Sequence, residues 1–355
     1  MPDALENWKG AGQNKRHPNT NKVGLAVPYN SFSFKRTLQS IRLESKLYLM
    51  ERKRPPETSR RFPDLYFDPG RTFDSRSRRR SPVANGIFYP DSRETLIDQL
   101  VSWGLREGLP FSLPGGQVII APHGSWDLSG KIAGAAFASV QAGKLRFGQT
   151  AISRIILLGP CHASGEQGIY LSESASFQTP LGDLPVDRGI NRKLVSCSTL
   201  IRENDILHLS EHSLEILLPI IKYCFPGVKI VPILAQGSRP VLISGLARAL
   251  KAVFQDSMEE SLMVISSNIS ASNDPALAFS MADEFRSALS GMDTGAFLAG
   301  LSGGRINACG GLIIAALLES GLFAGKRFSV LTPLIHETEE DGQTVYYGAF
   351  AAGQR

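Results

Sequence analysis

Apolar residues follow two different periods along most of this 355-residue chain. Short runs that are apolar throughout, as in buried strands, alternate with longer segments in which apolar residues recur every three or four positions, as in helices. The predicted strands are residues 117–121, 154–159, 229–235 and 261–267, a hairpin or strand pair in 168–187, and two closing strands in 327–335 and 344–353. The predicted helices are residues 91–108, 128–143, 210–225, 240–255, 274–291 and 309–321. This alternation predicts an α/β fold with a mostly parallel central sheet and helices on both faces.

The first 79 residues lack this periodicity and are strongly basic. Residues 1–80 hold 18 Lys and Arg against 8 Asp and Glu, whereas the rest of the chain holds 20 against 25. Segments with high charge and few apolar residues bury too little surface to fold. We therefore predict a basic, disordered N-terminal extension over residues 1–79 and a folded domain over residues 80–355. The extension is interpreted as a solvated arm or, alternatively, as an arm that binds polyanions such as nucleic acid weakly.

Cysteine usage and hydropathy favour a cytoplasmic protein. Four cysteines are spread along the chain without a C-x-x-C pair, which is not the pattern of a disulfide framework. No apolar run reaches the ~18 residues that a membrane-spanning helix needs. The N-terminal sequence MPDALENWKG does not have the charged and apolar regions of a secretory signal. We expect no membrane partner.

Three predicted strands end in polar residues, and this pattern points to a site. The strand endings are Pro122-His123, Pro160-Cys161-His162 and Ser267-Asn268. In open α/β sheets, ligands bind beyond the carboxyl ends of the strands. Each histidine by itself is more often a turn residue or a satisfied polar group than a metal ligand.

Cys309 stands just before the apolar segment GGLIIAALL, which places it near the start of a predicted helix. A helix N-terminus favours the thiolate form, which binds metals. Two histidines and one cysteine would suit zinc, iron or copper with an open coordination position. A cysteine that begins an apolar helix is more often a packing residue, so the spacing alone does not join Cys309 to the two histidines.

His212 is a further candidate, at the predicted start of the helix over residues 210–225. It is either a solvated residue of the first helical turn or an acid–base group beside a site, and the sequence alone leaves both interpretations open.

Six sequence blocks occur in the order found in the Memo family, also known as protein B of the AmmeMemoRadiSam set. The blocks are RSPVANGIFYP, IIAPHGSWDLSG, ILLGPCHASG, FQTPLGDLPVD, SEHSLEILLPII and ACGGLIIAALL. The resemblance covers most of residues 80–355. It implies a fold similar to class III extradiol dioxygenases, with a metal site at one rim.

By this resemblance the metal ligands are His123, His162 and Cys309, and the metal is iron or copper, with zinc also acceptable to the ligand set. His212 becomes the tentative acid–base residue. Glu215 and Asn268 are expected to lie next to the ligands.

The chain departs from the family where the family has S-S-D-x-x-H. Here the segment is Ser266 to Ala271, in which Asn268 and Ala271 replace the carboxylate and the imidazole. Two hypotheses follow. The protein is a redox-active, metal-dependent oxidoreductase, or it is a non-catalytic metal-binding or interaction scaffold that has lost the acid–base residues. The sequence names neither a substrate nor a protein partner.

Overall fold

Fourteen strands and nine α-helices form the part of the chain that the computed structural model describes, which is residues 79–105, 117–147, 152–162, 167–338 and 342–353. Strands β1–β14 are Arg79–Arg80, Val118–Ala121, Arg154–Pro160, Gly168–Leu171, Ser176–Phe177, Leu184–Pro185, Ile201–Glu203, Lys229–Gln236, Ser261–Ser266, Ser270–Ser272, Arg327–Val330, Ile335–Thr338, Thr344–Tyr347 and Phe350–Gly353. Helices α1–α9 are Arg93–Ser102, Lys131–Phe147, Arg188–Cys197, Asp205–Ser210, Leu218–Cys224, Pro240–Phe254, Pro275–Ser290, Thr294–Ser302 and Gly311–Ser320. The predicted N-terminal extension lies outside the described residues except for Arg79.

Eight of these strands form one sheet in the order β11-β14-β2-β9-β3-β8-β4-β7. The four central strands, β2, β9, β3 and β8, are parallel to one another. Antiparallel pairs occur where β14 joins β2, where β11 joins β14 and where β4 joins β8. The predicted α/β fold with a mostly parallel central sheet is confirmed.

Alternate residues of the central strands face two separate apolar layers, because successive side chains of a strand point to opposite faces. On one face, Ile156 and Leu158 of β3 pack with residues of α3, α6, α7 and α9. On the other, Ile155 and Leu157 of the same strand pack with residues of α1, α2 and α5. The helices therefore cover both faces of the sheet, as predicted.

The predicted helix over residues 210–225 is wrong at its start. Helix α4 ends at Ser210, a 3-10 turn spans Glu215–Leu217, and α5 begins at Leu218. Pro219 has no backbone N–H, so it fits only the first turn of a helix. Residues 211–214 are thus left as a tight, buried turn that faces the rim.

The predicted closing strands are each divided in two. Strand β11 and strand β14 extend the large sheet, whereas β13 pairs with both β10 and β12 in a separate three-stranded antiparallel sheet. None of the described helices is both long enough and apolar enough to cross a membrane.

Candidate metal centre

Three neighbouring strands end at the same edge of the sheet. Strands β2, β9 and β3 are adjacent and parallel. The residues that follow them are Pro122-His123, Ser267-Asn268 and Cys161-His162. The pairing continues into these endings, since the Ser267 N–H donates to the Ala121 carbonyl at 2.9 Å. Both histidines and Asn268 therefore lie side by side at one rim.

Cys309 reaches this rim from the loop before α9. The Gly310 N–H donates to Ser267 Oγ at 2.9 Å, which ties the loop to the end of β9. A Cβ atom at position 310 would lie 2.7 Å from the Cβ of Ser267, so glycine is needed for this approach. As a result the Cys309 Sγ lies 3.0 Å from the backbone nitrogen of Asn268 and 3.4 Å from Nε2 of His123.

His123 is buried and its ring is held by a chain of hydrogen bonds. Ser266 Oγ donates its proton to the Ser213 carbonyl at 2.6 Å. The 2.7 Å contact between Ser266 Oγ and His123 Nδ1 must then be an N–H donated by the ring, because the hydroxyl has only one proton. The neutral ring therefore keeps its lone pair on Nε2, the nitrogen that faces Cys309.

Glu211 holds His162 in a comparable way. Its Oε1 accepts from His162 Nδ1 at 2.9 Å, and its Oε2 accepts from the His162 backbone N–H at 2.5 Å. The His162 Nε2 is left for the rim. Glu211 was not among the predicted site residues, because the predicted helix over residues 210–225 includes the turn in which it lies. Pro219 was the signal in the sequence that could have indicated a helix start after this turn.

The donor atoms of His123, His162 and Cys309, here called the His–His–Cys group, all lie within 4.8 Å of one another. A second set with the same property is His162, Glu211 and His212. In that set the Glu211 oxygens already accept N–H groups from His162 and from Ser213. Glu211 is thus occupied as an anchor, and the His–His–Cys group is the better candidate for a metal ion.

Two members of this group, Cys309 and His162, have opposite charge in the metal-free protein. Burial acts to raise the pKa of the Cys309 thiol, but His123 and His162 outweigh it and lower the pKa to about 5. For His162, burial acts to lower the pKa, but hydrogen bonds to Cys309 and Glu211 outweigh it and raise the pKa to about 10. The site thus holds a thiolate near a protonated imidazole, and a metal ion would take the place of that proton.

His212 lies against the site but does not belong to the His–His–Cys group. Its ring stacks on His162 at 5.1 Å and on Phe88 at 4.9 Å between centroids. Its Nδ1 is 3.5 Å from Glu211 Oε1. Burial lowers the pKa of His212 to about 3, so the ring is neutral at pH 7.

Asn268 borders the site through both its backbone and its side chain. The Oδ1 atom accepts from the His123 N–H at 3.1 Å, and the backbone N–H points at Cys309. The side chain can accept and donate hydrogen bonds but holds no charge.

Glu215 has contacts that differ from those expected of a residue beside the ligands. It is 1% exposed and forms a 2.6 Å ion pair with Arg80, itself 1% exposed. Its oxygens also accept from Tyr89 and from the backbone of residues 83–84. We call Arg80, Tyr89 and Glu215 the Arg80 anchor. Arg80 also donates to the carbonyls of His208 and Glu211, so this anchor fixes the turn at 211–214 from behind.

Comparisons with known proteins show which sequences and structures this chain is similar to. Residues 80–350 match the family model described as "Memo-like protein". The chain is 26% identical over 250 residues to a "MEMO1 family protein" of Thermotoga maritima, covering 68% of this chain and 88% of that protein. A "MEMO1 family protein" of Aeropyrum pernix is 29% identical over 262 residues, covering 71% and 91%. An uncharacterized protein of Escherichia coli K12 superposes with a TM-score of 0.41 at 13% identity, covering 66% and 99%.

The matched span begins at Arg80, the residue that the structure buries against Glu215, and it contains all three members of the His–His–Cys group. The chain belongs to the Memo family.

Proposed function

We propose that this protein binds one transition-metal ion through His123 Nε2, His162 Nε2 and Cys309 Sγ, and that it acts as a metal-dependent oxidoreductase. The observation that supports this most strongly is the convergence of the three donor atoms within 4.8 Å. The arrangement of the surrounding bonds adds to it, because Ser266 and Glu211 occupy the Nδ1 atoms and leave both Nε2 atoms for a metal.

The donor set suits iron or copper, and it also accepts zinc. A thiolate is a soft ligand that favours Cu(I), and imidazoles bind copper, iron and zinc alike. Three protein donors leave a coordination position open, as catalytic sites require. Iron or copper bound here would supply one-electron redox chemistry.

His212 is the residue that we assign to proton transfer. It is the imidazole next to the His–His–Cys group, and it is neutral at pH 7 because burial lowers its pKa to about 3. A neutral imidazole can accept a proton from a bound substrate. Glu211, 3.5 Å away, would stabilise the imidazolium that forms. The pKa of about 3 makes His212 a weak base, so we expect proton transfer to need a substrate already acidified by its surroundings.

A second candidate function is a metal-binding scaffold without turnover. It is favoured by one specific feature: Asn268 borders the site where a carboxylate could have served as a base, and its amide cannot accept a proton at neutral pH.

Metal analysis of protein purified without oxygen tests the proposed site. We expect about one equivalent of iron or copper in the natural protein and a loss of most of it in His123→Ala and Cys309→Ser. His336→Ala and Cys197→Ser are the matched controls, since both residues are exposed and lie outside the group. Equal metal content in Cys309→Ser and Cys197→Ser would contradict the proposed ligand set.

Oxygen uptake by the metal-loaded protein separates the two candidate functions. Uptake that depends on an added substrate, and that falls in His212→Asn while metal content is kept, supports an enzyme. Full metal content without uptake for any of the substrates tried supports the scaffold.

We also propose that residues 80–355 form the folded domain and that the preceding basic extension is dispensable for it. Burial of Arg80 and the family match from residue 80 support this boundary. Deleting residues 1–75 should leave the melting temperature unchanged and should abolish any salt-dependent retention on heparin. A truncated protein that aggregates would contradict the boundary.

A further inference from the structure

Asn268 has one polar group that the site itself does not use. Its Oδ1 accepts from the His123 N–H, its backbone N–H donates to Cys309 Sγ, and its carbonyl accepts from Ser267 Oγ at 2.7 Å. The first of these bonds fixes the orientation of the amide, because an N–H donor requires the oxygen on its side. The Nδ2 amino group is therefore on the other side of the amide, and no partner for it occurs in the described part of the chain.

Asn268, which carries this amino group, lies next to the proposed metal ligands. Asn268 contacts one residue of the His–His–Cys group through its side chain and another through its backbone. It is partly exposed, whereas His123 and the Ser266–Ser267 backbone behind it are buried. The Nδ2 amino group thus belongs to a partly exposed residue that contacts both His123 and the thiolate ligand Cys309.

The net charge of the metal site determines which kind of ligand the Asn268 amino group would bind. A divalent metal with one thiolate and two neutral imidazoles has a net charge of +1, so an anion at the open position would be attracted. An amide donates to such an anion, whereas a carboxylate in the same place would repel it. The oxygens of the Glu211 carboxylate already accept N–H groups from His162 and Ser213.

We infer that Asn268 is a specificity residue that donates a hydrogen bond from Nδ2 to an anionic ligand or substrate group at the open metal position. The inference rests on the proposed function, since it requires a metal in the His–His–Cys group. It narrows the substrate class to molecules that present an anion, or an oxygen that becomes anionic on the metal.

Cobalt(II) and azide are the probes for this inference. The natural protein, Asn268→Asp and Asn268→Ala are loaded with cobalt(II), and azide is titrated while the visible cobalt spectrum is recorded. We expect azide affinity to fall about tenfold or more in Asn268→Asp, which loses the donor and adds a negative charge, and by a smaller factor in Asn268→Ala. Asn273→Asp makes the same chemical change at an exposed position five residues away and should bind azide as the natural protein does.

The cobalt spectrum also separates the two ways in which this experiment can fail. A natural protein that takes up no cobalt, with no thiolate-to-cobalt absorption band, would overturn the proposed site itself. Cobalt bound equally well in all proteins, together with azide affinities within twofold of one another, would overturn the role of Asn268 and leave the site standing. A fall in azide affinity that Asn273→Asp reproduces would likewise overturn it, because general charge would then be the cause.

Discussion

The turn at residues 211–214 has a polar cluster on each side, one buried and one partly exposed, and the two clusters differ in how many of their polar atoms are hydrogen-bonded. In the Arg80 anchor, the Glu215 oxygens accept from a guanidinium, a phenol and two backbone N–H groups. In the His–His–Cys group, the Nδ1 atoms of His123 and His162 are hydrogen-bonded as well. The two Nε2 atoms and the Cys309 sulfur, however, face each other across the rim. Complete pairing stabilises a fold, whereas donor atoms left facing one another create a place for a ligand.

Glu211 and Glu215 lie in one short segment, and each belongs to a different one of these two clusters. Both are buried carboxylates, 3% and 1% exposed. Glu215 points back at Arg80, and Glu211 points forward at His162. The comparison predicts that changes in the anchor alter the stability of the fold, and that changes around the His–His–Cys group alter mainly the affinity for metal.

The largest effect is expected from breaking the anchor. Glu215→Ala leaves the Arg80 guanidinium buried without its partner, and we expect the free energy of unfolding in urea to fall by about 3–5 kcal/mol. Arg80→Ala should cost a similar amount, and the double variant less than both together, because the two changes remove the same pair. Metal bound per folded molecule should stay close to that of the natural protein. A loss below about 1 kcal/mol would show that the anchor does not stabilise the fold.

A somewhat smaller effect should appear in the pH dependence of stability, through His208 beside the anchor. Burial lowers the pKa of His208 to about 4, its Nε2 donates to the Tyr170 carbonyl, and its Nδ1 has no hydrogen-bond partner. In the unfolded chain the pKa is about 6.5. Between these values the unfolded chain binds the extra proton, so this stability is fully present above about pH 6.5 and is lost as the pH falls to about 4.

The shift corresponds to about 3 kcal/mol for His208. His208→Gln keeps a donor but does not titrate, so unfolding free energies of the metal-free protein should fall less steeply between pH 6.5 and 4.5. The flattening is partial, because His212 also has a lowered pKa and acts in the same direction. The exposed His336→Gln should leave the slope unchanged. Identical slopes in His208→Gln and the natural protein would contradict the neutral, buried state of His208.

The sequence predicts the His–His–Cys group better than it predicts the Arg80 anchor. Both histidines follow apolar runs at strand ends, a local pattern, so their place at the rim could be predicted. Cys309 lies 186 residues after His123. Only the strand order β2-β9-β3 and the approach of Gly310 to Ser267 bring it there, and spacing along the chain does not encode either. The family resemblance supplied the connection that the pattern could not.

The Arg80 anchor could not be predicted, because the sequence around its members suggests that they are exposed. Arg80 ends a run of basic residues, SRSRRR, and charge alone does not distinguish it from its neighbours. Its partner is 135 residues away, in what the apolar period suggests is an exposed helix start. The partners of Glu215 and Glu211 were both missed because the predicted helix runs through residues 211–214, where the structure has a turn. This turn directs Glu215 towards Arg80 and Glu211 towards His162.

On the metal side, Glu211→Gln should show the larger effect. Gln keeps the size of the side chain but removes the charge that orients His162, so we expect metal affinity in a chelator competition to fall 10- to 100-fold. Glu203→Gln, which removes a carboxylate from an ion pair with Arg188, is the matched control and should leave the affinity unchanged. An equal affinity in both variants would mean that the Glu211 contact does not support the ligand.

The smallest effect is expected for Ser266→Ala, which tests the other histidine. The Ser266 hydroxyl is uncharged, so removing its 2.7 Å bond to His123 Nδ1 should lower metal affinity only about three- to tenfold, the value of a neutral hydrogen bond. Ser261→Ala is the matched control: it lies at the other end of the same strand, is equally buried, and donates to the Ser257 carbonyl at 2.9 Å. Both variants should lose similar stability, because each removes a buried serine–carbonyl bond, but only Ser266→Ala should weaken the metal. If the two variants bind metal equally well, His123 is oriented by packing alone, and the contrast between a fully paired anchor and a ligand-ready rim would hold for His162 but not for His123.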